Sequence, residues 1–125
     1  GKLQEKHMAQ GHFGRGLAIY RSARLMFYDA LEATWQRALD GLPAEAQHRA
    51  DLYLAGTHAV QASSEVVKHV ADIAGTSMIA RGSELERIGR DMETLRHHGF
   101  VNESRYASVA QVHWDAPLDY PAMLR

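Results

Sequence analysis

The run AGTSMIARGSELERIGRDMETLRHHG, Ala74 to Gly99, is the stretch on which the reading of this chain turns. Gly75 stands where a long apolar helix should close, because glycine takes the positive-φ conformations that end a helix and lets backbone come close to another group. Thr76 and Ser77 follow with small hydroxyl side chains. Ser83, with Glu86 three residues on, predicts a capping box at the start of the next helix. Leu85, Ile88, Met92 and Leu95 recur at steps of three and four and face a core. Arg87, Arg90, Asp91 and Arg96 lie off that stripe. His97 and His98 end the helix, where imidazolium complements the helix dipole, and Gly99 stops it. On residues alone this is ordinary connector chemistry, and it names no function.

Upstream, Pro43 to Ala74 is the longest predicted helix. Leu52, Ala55, Ala59, Ala62, Val66, Val70 and Ile73 form its stripe, and the alanines suit close helix packing. Gly56 costs about 1 kcal/mol relative to alanine in a helix, which implies close packing there. His58, near the apolar face, reads as a satisfied core or interface histidine. Glu45 and His48 have the spacing of a di-iron ligand pair, but such sites need a second pair and further glutamates, so no metal is expected from them. Leu17 to Leu39 forms another helix, with Phe27, Tyr28 and Trp35 read as packing residues rather than a ligand box. Asp40 to Pro43 ends it: Gly41 supplies the closing position and Pro43 the first turn of the next helix. Gly1 to Gly16 is polar and glycine-rich and reads as a flexible, at most partly helical lead-in. His7 and His12 there are expected to face solvent, without partners at metal-ligand spacing.

Downstream, Asn102 caps a short helix through Tyr106, Val109 and Val112. Residues 115–125 read as an extended tail whose Leu118, Tyr120, Met123 and Leu124 cover a surface, in this subunit or another. The expected fold is all-α: an antiparallel bundle of two long and two shorter helices over residues 17–114. The 125 residues allow one modest core. A net charge of −1 suggests neither nucleic acid nor an anionic membrane as partner. Without cysteine there is no disulfide framework and no zinc-thiolate site. No span or secretory signal is read, so a cytoplasmic protein is the default.

The stretch from Gly75 through Leu85 and Arg90-Asp91 to His98 resembles the C-terminal helical domain of the acyl-CoA dehydrogenase superfamily. It is most similar to the branch of two-component flavin-dependent monooxygenases, with likeness running from about Leu17 to Trp114. Asp72, Gly75 and Thr76 stand where the dehydrogenase branch has a Gln-x-x-Gly-Gly pattern. Gly99 to Glu103 does not match the loop that carries the dehydrogenase glutamate base. The second departure points to the monooxygenase branch. The resemblance implies FMN or FAD, with Gly75, Thr76 and Ser77 near the flavin or its phosphates, where turn N–H groups and hydroxyls can hold an anion. It implies His98 as the catalytic residue, taking a proton from substrate or assisting the flavin's oxygen chemistry. It also implies a dimer or tetramer and a separate flavin reductase. The remaining domains of such an enzyme are not among these residues, so weak or absent flavin binding and self-association through uncovered apolar surface are expected. An acyl-CoA dehydrogenase C-terminal domain and a non-catalytic oligomerisation module are the alternatives.

Overall fold

The computed structural model describes residues 2–3, 6–75 and 83–125; Thr76 and Ser77 lie outside them. The described residues form four α-helices and no strand: α1 His7–Leu39, α2 Ala46–Ala74, α3 Glu84–Leu95 and α4 Ser104–His113, followed by a 3₁₀ turn, Pro121–Leu124. The all-α expectation holds. The arrangement is more open than a closed bundle. α2 packs against α1, α3, α4 and the terminal turn, whereas α1 touches no described element except α2.

α1 begins ten residues ahead of the expected Leu17, so the supposed lead-in is largely helix. One of the glycines that obscured it has a packing use. Gly16 is buried, and a Cβ there would stand 3.5 Å from the Cβ of His69 on α2. The close approach expected at Gly56 is found at Gly16, since a Cβ at Gly56 would meet nothing within 4 Å. Tertiary contact here outweighs the low helix propensity of glycine.

The end of α1 follows the expected chemistry. Gly41 has φ 69°, its N–H donates to the Ala38 carbonyl at 3.1 Å, and Leu42 N–H donates to the Arg37 carbonyl at 3.0 Å. This is the Schellman pattern, which satisfies two carbonyls left free at a helix end. Pro43 is not the first turn of α2. It lies before the helix, and its carbonyl accepts from Arg37 at 2.7 Å. α2 starts instead on Glu45 and His48, which form a reciprocal capping box. The spacing that resembled a metal-ligand pair is a helix start. At α3 only half of the expected box is present. Ser83 Oγ accepts from Glu86 N–H at 3.1 Å, while the Glu86 carboxylate pairs with Arg90 Nε at 2.7 Å.

The core lies between the first half of α2, α4 and the tail. Ala50, Val109 and Met123 form its buried centre, with Tyr53, Leu54, Val112, Tyr120 and Leu124 around it. The tail is therefore not wholly extended, and it folds onto its own chain. Met123 is only 2% exposed, a burial that stabilises by roughly 1.5–3 kcal/mol. Asp119 accepts from Ser108 Oγ at 2.7 Å, and its N–H donates to Gln111 Oε1 at 2.9 Å. The Arg105 guanidinium carbon lies over the Tyr120 ring, 3.8 Å from its centre. These contacts hold the tail against α4 and α2.

Candidate functional site

The site implied for a cofactor begins at the C-terminal end of α2. Gly75 closes that helix with φ 62° and ψ −128°. The φ is positive, as expected, but ψ is not that of a left-handed helix closure. The residue is exposed, and a Cβ there would meet nothing within 4 Å.

His98 sits in the turn between α3 and α4. Gln61 of α2 pins this turn, its Nε2 donating to the carbonyls of Arg96 at 3.1 Å and Val101 at 2.9 Å. The His98 carbonyl accepts from Val101 and Asn102 at 3.0 and 2.9 Å. Its imidazole is exposed, edge-on to Phe100 with ring centres 5.0 Å apart, and its Nδ1 accepts from Phe100 N–H at 3.2 Å. A neutral ring with Nδ1 accepting carries its proton on Nε2. His98 therefore presents a hydrogen-bond donor outward, and a base role would need the Phe100 bond to open. Beside it, Arg96 grips Glu93 through Nε and Nη2 at 3.0 and 2.9 Å. That hydrogen bond lowers the Glu93 carboxyl below its ordinary pKa. His97 is exposed, with no role in holding the turn through its side chain among the described contacts.

The fold does not bring Gly75 and His98 together. α3 runs back along α2, so His98 lies level with Gln61, roughly 14 residues before Gly75, or about 21 Å at about 1.5 Å per residue. The two positions can address different portions of an extended ligand but not one atom of it.

Other singled-out residues resolve differently. His58 Nδ1 lies 3.3 Å from Tyr106 Oη, which makes it the satisfied interface histidine expected. Burial raises the pKa of that tyrosine, with Glu103 adding to it. Arg90 and Asp91 are a surface pair only in sequence, since they bind Glu86 and Arg87 respectively. Tyr28 and Trp35 are 51% and 60% exposed, so they pack into no core among the described residues. Tyr20, Phe27 and Tyr28 line one side of a groove of about 350 Å³ between α1 and α2, facing Ala59, Ala62 and Val66. His7 is exposed as expected, but His12 is not free in solvent. Its Nδ1 lies 3.0 Å from His69 Nδ1 and 3.7 Å from Asp72 Oδ2. The expectation of no metal-ligand grouping therefore fails geometrically: these three residues hold their donor atoms within 4.8 Å of one another. Linear spacing could not show it, because His12 lies on a different helix.

Comparison with known proteins fits this helical architecture. The acyl-CoA dehydrogenase C-terminal domain family matches residues 1–103. The chain belongs to that family. As an acyl-CoA dehydrogenase C-terminal domain, it is similar to indole-3-acetate monooxygenase of Pseudomonas putida, 30% identical over 107 residues, and to indole-3-acetate monooxygenase of Acinetobacter baumannii, 23% identical over 111 residues. These alignments cover 86% and 89% of this chain. The chain spans 28% of the length of each of these relatives. The match includes α1 from its first turn, which agrees with the helix starting at His7. No helix among the described residues is long and apolar enough to cross a membrane.

Proposed function

We propose that this chain is the C-terminal domain of a flavin-dependent monooxygenase acting on a small aromatic substrate. The observation that carries the reading is the 30% identity over 107 residues to an indole-3-acetate monooxygenase. The departure of Gly99 to Glu103 from the loop that carries the dehydrogenase glutamate base supports it. Bound FMN or FAD, reduced by a separate reductase, would supply the oxygen chemistry. The Gly75-Thr76-Ser77 segment would lie along the cofactor, offering backbone N–H groups and hydroxyls to phosphate or ring. His98 would serve as the proton-holding group, its Nε2–H donating to an oxygen of substrate or cofactor. About 21 Å of helix between them means that the two contact points serve separate portions of one flavin site or two neighbouring sites.

The exposed aromatic face of α1 supports a homodimer or homotetramer in which other domains or subunits cover it. A cytoplasmic location goes with this reading. The deciding experiment supplies the polypeptide that carries this domain and its upstream domains with reduced flavin, oxygen and indole-3-acetate. Formation of an oxygenated product supports the monooxygenase. Oxidation of an acyl-CoA with an artificial electron acceptor, and no oxygenated product, would assign the dehydrogenase branch instead.

A further inference from the structure

We propose that His12, His69 and Asp72 form a binding site for a first-row divalent cation of the zinc type, joining the early turns of α1 to the last turns of α2. His69 and Asp72 are one turn apart on α2 and share a face; His12 reaches them from α1. Two ligands about 2.1 Å from a common ion at a tetrahedral angle stand about 3.4 Å apart. The observed separations of 3.0 Å between the two Nδ1 atoms and 3.7 Å from His12 Nδ1 to Asp72 Oδ2 bracket that value. All three donor atoms fall within 4.8 Å of one another. The Asp72 side chain is 61% exposed and can swing to close the remaining gap, while His12, at 22%, is held in place.

The pairing of the imidazoles is built by the backbone. Gly16, one turn along α1 from His12, lets the helices approach until a Cβ there would lie 3.5 Å from the Cβ of His69. With their Nδ1 atoms facing, two neutral imidazoles can share one proton as N–H···N; a cation instead takes both lone pairs and leaves each Nε2 protonated. Two imidazoles and a carboxylate suit borderline cations over magnesium or calcium, which favour all-oxygen shells. Three protein ligands leave a fourth position for water or an incoming ligand. An apolar groove lined by Phe13, Val70 and Ile73 runs beside the pair and gives it access to solvent. Asp72 lies one turn before Gly75, so an occupied site would stiffen the helix end from which the cofactor turn departs. The geometry stands whether or not that turn binds flavin.

The test is titration of the chain with zinc by calorimetry and with cobalt by visible absorption, alongside H12Q and D72N checked for unchanged helicity. The expected result is one ion per chain, a tetrahedral cobalt spectrum, and affinity at least tenfold weaker in both variants. D72N, at an exposed position, keeps the test open should H12Q fail to fold. Absence of binding at micromolar zinc, or an affinity unmoved by D72N, would overturn the proposal.

Discussion

Gln61 binds Arg96 across 35 residues of sequence, its side-chain Nε2 donating to the Arg96 carbonyl at 3.1 Å. The same amide reaches the Val101 carbonyl, so one side chain on α2 satisfies both flanks of the turn that carries His98. Gln61→Leu should cost about 1–3 kcal/mol, because two carbonyls lose their partner in a half-buried site. Urea denaturation measures this. Hydrogen exchange should show the largest loss of protection between Leu95 and Asn102, not along α1.

Two glycines should respond oppositely to alanine. Gly41 has φ 69° in the Schellman closure of α1, where a side chain is strained, so Gly41→Ala should destabilise by about 1 kcal/mol. Gly56 lies in the middle of α2 with open space where a Cβ would go. Gly56→Ala should stabilise by about 0.5–1 kcal/mol. Thermal melts of the two variants, read against the unsubstituted chain, distinguish the signs.

Asp119 should show the pH dependence of a carboxylate held by donors. The Ser108 hydroxyl, then Gln111, keep its pKa below the ordinary aspartate value. A lowered folded-state pKa contributes stability above the unfolded value of about 3.9 and loses it as pH falls through the folded value. Tail docking should therefore weaken only in acid, below about pH 4. Carbon-13 NMR of the side-chain carboxyl should place the midpoint below the ordinary value, and Ser108→Ala should move it upward.

The uncovered face of α1 should govern association. Leu25, Trp35 and Leu39 are 72%, 60% and 62% exposed. In a monomer, polar replacements there should change stability by no more than about 0.5 kcal/mol. Leu25→Glu combined with Trp35→Glu should leave helicity unchanged and shift sedimentation toward monomer. Oligomers of unchanged mass would place the contact on another face.

Much of this was legible from residue pattern, and the exceptions have physical causes. The long apolar stripe and the glycines at 41 and 75 announced the helices and their ends, because backbone conformation at those glycines is local. The first turns of α1 were hidden because Gly16 acts by the absence of a side chain. The second buried face of α2 was hidden as well. It includes Thr57 and Ser64, both buried, and the half-buried Gln61, and these polar residues interrupt the hydropathy period. The His12–His69–Asp72 grouping and the separation of His98 from Gly75 depend on how helices lie beside one another, which no one-dimensional spacing carries.

The most direct test of the flavin reading compares His98→Ala with His97→Ala in the polypeptide containing all its domains, measuring oxygenated product from indole-3-acetate per reduced flavin consumed. His98→Ala should lower the yield of product per flavin by about 10²-fold or more, with His97→Ala within a few-fold of the unsubstituted enzyme. Full product formation by His98→Ala would contradict it.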